Sequence, residues 1–568
     1  MYKKFFVLLM LLLLHAPANA ERFIPSQPVI TLREIKPGMN GYMLTVLKGT
    51  KPSKIPVKVV SIVPQKPGKN ITDTLLIRMQ GTKLAQGMSG SPVYLGGRLA
   101  GAVRSGWDNS SQNLALVTPI EAMCEMYGSG ISTAGSREAL SLTNVSVSGL
   151  RVNSPSMSEL SRKIGVSFTQ GISMGSHGAE IGGNALKPGD SLAVLLVWGD
   201  VEISAIGTVT ATARDGGFIA FGHDMLKRGR AAYPSAGAYI HEIIDSTLFP
   251  FKLGSPMGIN GTITQDREAG IAGKFGNYPP SIAGDFVFRD LDTGGESRYK
   301  FRVIADEFLG ADLIEGVFKG LAEEVWGRTG QGTMSVNLRI DGRNVPNGWA
   351  RKDIFYSEEN VIDEAFKQAK SVISSFLTQP FSDTLPAGFS VTVEAAQNPK
   401  ILMIEDVKAP EDAKPGEEIE VNVKLRGWRT EPITRKFALK IPEDASGVVE
   451  LVVRGGGEQS LPQTAIDEGL KSIDGLERML TEFKAVDGNN ELILELNADT
   501  TGDIIRKIKS GKKDKAKKKT EREPDFLPEE TEYLSETKER RIKEGTLKIY
   551  SSEYLIDGLM KRIIHTEK

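Results

Sequence analysis

Gly87-Met88-Ser89-Gly90-Ser91-Pro92 is the string in this chain whose residue types bear most directly on chemistry. Glycines on both sides of a serine allow a tight main-chain turn that larger residues would strain. Such a turn exposes a hydroxyl and aims backbone N–H groups at one point, which is what acyl transfer asks of a nucleophile and its oxyanion hole. By itself the pattern is only suggestive, because Gly/Ser turns before strands are common. A serine also needs a base. The chain has five histidines, and His15 falls in the apolar leader treated below. His177 stands in a polar loop, His565 is three residues from the C-terminus, and His241 follows Ala238-Tyr239-Ile240 in a strand or helix. His223 stands in Phe221-Gly222-His223-Asp224, where an apolar strand ends at a glycine and an imidazole can reach a site. On local context alone, a buried structural histidine is the better reading of it. A third group should orient the imidazole. Asp73 lies sixteen residues before Ser89 and on context alone reads as a turn residue. Asp224 would point away from a strand-borne His223.

The elements that must position these residues read mostly as strands and turns. Val57 to Val63 is rich in β-formers, Leu75 to Met79 is a short apolar run, and Val93 to Val103 predicts a hairpin with a Gly96-Gly97 corner. Residues 155–164 predict a short helix. Ser191 to Trp198 is a strand, Val201 to Thr212 predicts a strand pair across Gly207, and Phe218 to Phe221 leads into His223. Residues 359–378 place Val361, Ala365, Ala369, Val372 and Phe376 on one helical stripe. Glu418 to Leu425 alternates almost perfectly, which predicts a small β-sandwich. Residues 462–482 have helical spacing and Glu491 to Leu496 reads as a strand. Residues 507–524 are lysine-rich and read as a solvated linker, with contact to an anionic polymer or lipid headgroups as the other reading.

Composition bounds the functions open to the chain. Its 568 residues allow about three or four domains. Lys plus Arg number 70 against 71 Asp plus Glu, which argues against a dedicated nucleic-acid binder. The single cysteine, Cys124, excludes an internal disulfide, and no Cys/His cluster is spaced to hold a metal. Lys3 and Lys4 precede an apolar run from Phe5 to Leu14 that ends at Ala18-Asn19-Ala20, the pattern of a cleaved secretory signal peptide. No later stretch is apolar over the length of a spanning helix, about 20 residues. The mature chain is therefore expected to be exported, periplasmic or extracellular, with no transmembrane segment after cleavage.

The serine string, with Val93-Tyr94 and Gly97-Arg98-Leu99-Ala100-Gly101-Ala102-Val103 after it, resembles the serine signature of the SpoIVB peptidase family. Gly207-Thr208-Val209-Thr210 with Ala220-Phe221-Gly222-His223-Asp224-Met225 is similar to the histidine segment. Gly261 to Arg267 with Gly270 to Gly273, and Ile35 to Tyr42, extend the likeness over roughly residues 28–310. The resemblance implies a chymotrypsin-related pair of β-barrels with the site between them. Carried over by position, Ser89 is the nucleophile, His223 the general base and Asp73 the orienting acid. The Gly87 and Ser89 N–H groups form the oxyanion hole, and Ser91 supports the turn. No metal or organic cofactor is implied, and the partner is a protein or peptide substrate. Two departures stand out. The spore-signalling members place histidine ahead of serine, whereas here Ser89 precedes His223 by 134 residues. No PDZ-like segment precedes the serine.

The expected architecture is mainly β. A permuted double barrel holds the serine half in residues 21–150 and the histidine half, with a terminal helix, in 151–395. A β-sandwich at 396–460, an α/β segment at 461–506, a charged linker at 507–545 and a C-terminal segment at 546–568 follow the signal peptide's 1–20 numbering to the chain end. The expected function is an exported serine endopeptidase, self-processing in one version. The alternative is a non-catalytic envelope protein on the same scaffold, binding a partner through 396–460 or through 507–524.

Overall fold

The computed structural model describes residues 23–64, 73–107, 112–129, 140–141, 144–173, 181–246, 250–343, 345–382, 386–458, 473, 475–497 and 533–566. The expected signal peptide, the lysine-rich 507–524 segment, His15 and His177 lie outside them. The fold is mainly β. Contacts divide it into two compact units, Met1–Gly284 with Tyr299–Gly320, and Asp285–Arg298 with Leu321–Lys568.

In the first unit, β1 (Asn40–Val46), β2 (Pro52–Val63), β3 (Thr74–Met79), β4 (Pro92–Leu95), β5 (Arg98–Gly106) and β6 (Leu114–Pro119) close a six-stranded barrel. The sequence dictates this locally. In β2, Ile55, Val57 and Val59 are buried while Lys54, Pro56 and Lys58 face out, the period-2 pattern of a half-buried strand. Gly96 and Gly97 both take left-handed φ, +58° and +78°, so the β4–β5 corner is the tight turn predicted for it. Six further strands follow: β7 (Ser191–Gly199), β8 (Glu202–Thr212), β9 (Gly217–Ala220), β10 (Gly229–Ile244), β11 (Phe251–Arg267) and β12 (Gly270–Phe275). Their pairings close a second ring. With the strands of each ring counted from first to sixth, both close in the order 1-2-3-6-5-4. Closure leaves no unpaired edge among these strands.

The first ring is filled by Met43, Ile55, Val57, Leu75, Ile77, Met88, Val93 and Val103. Helix α1 (Ile120–Ser129) joins the rings: its Ile120, Met123 and Met126 share one cluster with Tyr94, Leu99 and Ala102 of the first ring and Ala211, Ile219 and Ala272 of the second. Helix α2 (Pro155–Ile164) has the predicted bounds. Ser154 caps it by accepting from Met157 N–H, and Gly165 ends it with φ +75°.

Val201 to Thr212, expected as a strand pair, is one strand. Gly207 sits within it because a Cβ there would stand 2.3 Å from the Phe221 ring. The glycine marks a close approach and not a corner.

In the second unit, β13 (Gly332–Gly342) pairs with β14 (Val345–Ser357) and β15 (Gly388–Ala396). Helix α3 (Val361–Thr378) buries Val361, Ala365, Ala369, Val372 and Phe376, the stripe its spacing predicts. The contact division thus places this helix in the second unit, and the span 151–395 does not fall in one body. The sandwich pairs β16 (Ile401–Lys408), β18 (Glu418–Gly427) and β19 (Ile433–Lys440) with β23 (Leu555–Asp557) in one sheet. The other sheet holds β17 (Asp412–Ala413), β20 (Gly447–Gly455), β21 (Glu491–Asn497), β22 (Leu547–Ser551) and β24 (Leu559–Thr566). One apolar core spans both sheets, from Leu402 to Ile564. The sandwich is therefore not confined to 396–460: the strand 491–497 and the strands of 547–566 complete it. Of the 462–482 helical pattern, Leu476–Ala485 is helix, and residues 462–472 lie outside the described residues.

Candidate functional site

Each ring carries one of the expected groups in the same connection, between its third and fourth strands. In the first ring this connection holds Ser89. Gly87 and Gly90 take φ +86° and +88°. At Gly90 a Cβ would stand 2.0 Å from Thr208 O and 2.4 Å from Phe221 N, so only glycine fits. Met88 anchors the turn in the barrel core with no exposed surface. Ser91 Oγ donates to Met88 O at 2.6 Å, the supporting contact expected of it. Met88, Gly90 and Ser91 donate their N–H groups to Ala85 O, Val103 O and Met88 O. The N–H groups of Gly87 and Ser89, on the same turn, donate to no described residue. Two N–H groups left over on one turn are what a developing oxyanion requires. From the second ring, Thr208 N–H donates to Ser89 O at 2.8 Å, Thr208 Oγ1 to Gly87 O at 3.1 Å and Thr210 Oγ1 to Gly90 O at 2.8 Å.

In the second ring the same connection holds His223. Beyond β9 the chain takes two left-handed residues in succession, Phe221 at φ +67° and Gly222 at +69°. Such a conformation costs a bulky residue roughly 1–2 kcal/mol, offset here by burial of the Phe221 ring against Gly207. Gly222 O accepts from Thr118 Oγ1 of the first ring at 2.5 Å. His223 is therefore not strand-borne, and its Nδ1 donates to the main-chain carbonyl of Asp224 at 2.6 Å. A carbonyl only accepts, so Nδ1 carries the proton and Nε2 is the basic nitrogen. Asp266, fully buried at the end of β11, holds the rest of the loop by accepting from Met225 N–H at 2.7 Å, Leu226 N–H at 2.8 Å and Arg228 N–H at 3.4 Å.

Turn and corner abut, since Gly90 lies against Phe221 and Gly222 lies against Val103. The fold thus brings Ser89 and His223 to neighbouring loops, and it closes them off: Ser89 has no exposed surface and His223 is 3% exposed. Ser89 Oγ makes no hydrogen bond among the described residues, so a Ser89–His223 hydrogen bond is not formed. Asp73 stands half-buried immediately before β3. The partner of Nδ1 that the sequence assigned to Asp73 is the Asp224 carbonyl. Burial lowers the His223 pKa to about 4; the Asp224 hydrogen bond opposes this and the Arg104 charge adds to it. His241, half-buried in β10, shares a hydrogen bond with Ser255 Oγ at 2.9 Å.

Two basic side chains beside the site escape the sequence. Lys252 is fully buried in β11, with its side chain against Gly87 and its Nζ donating to Thr45 Oγ1 at 2.9 Å. Burial lowers its pKa to about 7. Lysines on strands normally face solvent, so nothing in Phe251-Lys252-Leu253 flags an inward one. Arg104 is 6% exposed at the end of β5. Among the described residues, no group of three His, Cys, Asp or Glu side chains is placed to hold a metal ion. No helix among them is long and apolar enough to cross a membrane. Comparison with protein-family models, with curated proteins and with solved structures finds no match to this chain.

Proposed function

We propose that this chain is an exported serine endopeptidase that works through an acyl-enzyme on a protein or peptide substrate. The observation that carries the reading is the meeting of the Ser89 turn and the His223 corner, on equivalent connections of two rings with one strand order. In this reading the double barrel is chymotrypsin-related and permuted, with the serine half first. Ser89 Oγ attacks the scissile carbonyl carbon as Nε2 of His223 takes its proton. The carbonyl oxygen, now an oxyanion, is received by the Gly87 and Ser89 N–H groups. The imidazolium returns the proton to the leaving amine, and water, deprotonated in the same way, releases the acyl group. Asp224 O fixes the tautomer, and Asp73 takes the acid's part only if Nδ1 changes partner when substrate binds. The buried hydroxyl makes an opening step part of the cycle.

The same burial favours a second reading, a non-catalytic envelope protein that binds a partner through the sandwich or the lysine-rich segment. A fluorophosphonate, which reacts with an activated serine and spares an ordinary one, separates the two. The peptidase reading expects labelling that maps to Ser89 and is lost in Ser89→Ala and His223→Ala. Folded wild-type protein that takes no label favours the scaffold.

A further inference from the structure

Arg104 occupies a bulge. Val103 pairs with Val117 and Ser105 with Leu116, so Arg104 has no cross-strand partner of its own. A bulge re-aims the side chain it carries. The adjoining main chain is fastened to the nucleophile turn by Gly90 N–H to Val103 O at 2.7 Å and Val103 N–H to Ser91 O at 3.0 Å. Gly222, next to His223, also lies against Val103 O. Arg104 therefore adjoins both halves of the site. Its Nη1 is buried and hydrogen-bonds to no described residue, and its guanidinium forms no ion pair with one. Asp224 and Glu268 attract it only from a distance. A guanidinium keeps its charge when buried, and a buried charge is expensive unless it is paired. Its planar fork matches a carboxylate through two parallel hydrogen bonds.

We propose that Arg104 seats a carboxylate of the peptide substrate beside Ser89, an inference that rests on the peptidase reading and names its substrate class. The carboxylate is either the chain terminus or an Asp or Glu side chain. Bound there, it neutralises the cation that disfavours the His223 imidazolium, so an acidic substrate strengthens the base that will act on it.

The test uses the mature protein and three probes: acetyl-trialanine as the free acid, the same peptide as its C-terminal amide, and acetyl-Ala-Asp-Ala amide. Calorimetry measures affinity, and NMR follows the His223 ring titration. Binding of at least one carboxylate-bearing peptide in preference to trialanine amide is expected, weakened about tenfold or more in Arg104→Gln. Arg104→Lys, which keeps the charge and loses the fork, should fall between. The preferred acid tells terminus from side chain. Upward movement of the His223 titration on binding, absent in Arg104→Gln, is the second expected result. Equal affinity for acids and amide, no binding at all, or affinity unchanged in folded Arg104→Gln overturns the proposal. Fluorophosphonate labelling of the same samples separates the failures. Labelling without carboxylate preference removes the Arg104 seat alone. Arg104-dependent binding by protein that takes no label keeps the seat and removes the peptidase reading.

Discussion

The two six-stranded rings share a strand order and use the same connection to present a reactive group, yet they hold that connection by opposite means. The serine turn is fixed by steric demand. Two left-handed glycines, a core-buried Met88 and a set of main-chain hydrogen bonds leave Ser89 one place to be. The histidine corner is fixed at a distance. Phe221 is held in an unfavourable left-handed conformation by packing against Gly207, and the loop beyond it hangs on the buried Asp266. One topology thus holds one loop by close main-chain fit, to its own neighbours and to Thr208 and Phe221, and the other by buried side chains set elsewhere in the chain. The serine loop should fail through main-chain clash, and the histidine loop through loss of remote partners.

The largest effect expected on this contrast is at Gly90. Gly90→Ala drives a methyl into Thr208 O and Phe221 N where φ is +88°, and should cost about 4 kcal/mol or more in denaturant unfolding. A loss under about 1 kcal/mol would break the steric account. Lys252 comes next. Between pH about 7 and 10.5 the unfolded chain binds a proton on this amine that the folded chain does not. Wild-type stability should therefore rise with pH across that window, by a few kcal/mol in total. Lys252→Met should flatten the rise and match or exceed wild type at pH 7. A rise of the same size in the variant would assign it to other groups. His223 gives a smaller window of the same sign. Its folded pKa of about 4 lies below the ordinary 6.5, so stability falls as pH drops from about 6.5 to 4. His223→Gln should lessen that slope, as read by unfolding at stepped pH. The smallest effect is at Asp266. Asp266→Asn keeps the shape but replaces a charged acceptor of three N–H groups, for a loss of about 2 kcal/mol. Hydrogen exchange should quicken at Met225 and Leu226 and stay unchanged at Gly90. Equal quickening in both loops would erase the contrast.

The same contrast decides what the sequence discloses. The glycine spacing of the serine turn is legible as a motif, and the Gly96-Gly97 corner, the capped helix at 155–164 and the apolar stripe at 361–378 are local, set by residues a few positions apart. Gly207 misleads because its cause, the Phe221 ring, is fourteen residues away and packs from the corner beyond β9. Strands 547–566 do not read as part of the sandwich because their partners lie from about 50 to about 150 residues earlier. Arg104 is illegible for a related reason. Its bulge exists only in the register between β5 and β6, and Gly101-Ala102-Val103-Arg104-Ser105 carries no sign of it. Asp224 O as the partner of Nδ1 follows from two consecutive positive φ angles that no pattern of side chains announces.

The central claim is that Ser89 is an activated nucleophile served by His223. The most direct test is fluorophosphonate labelling of the purified mature protein beside Ser89→Ala and His223→Ala, with the modified residue mapped by mass spectrometry. The account predicts one adduct, on Ser89, absent from both variants while their folds persist. An adduct on another residue, labelling that survives in Ser89→Ala, or none on folded wild-type protein would contradict it.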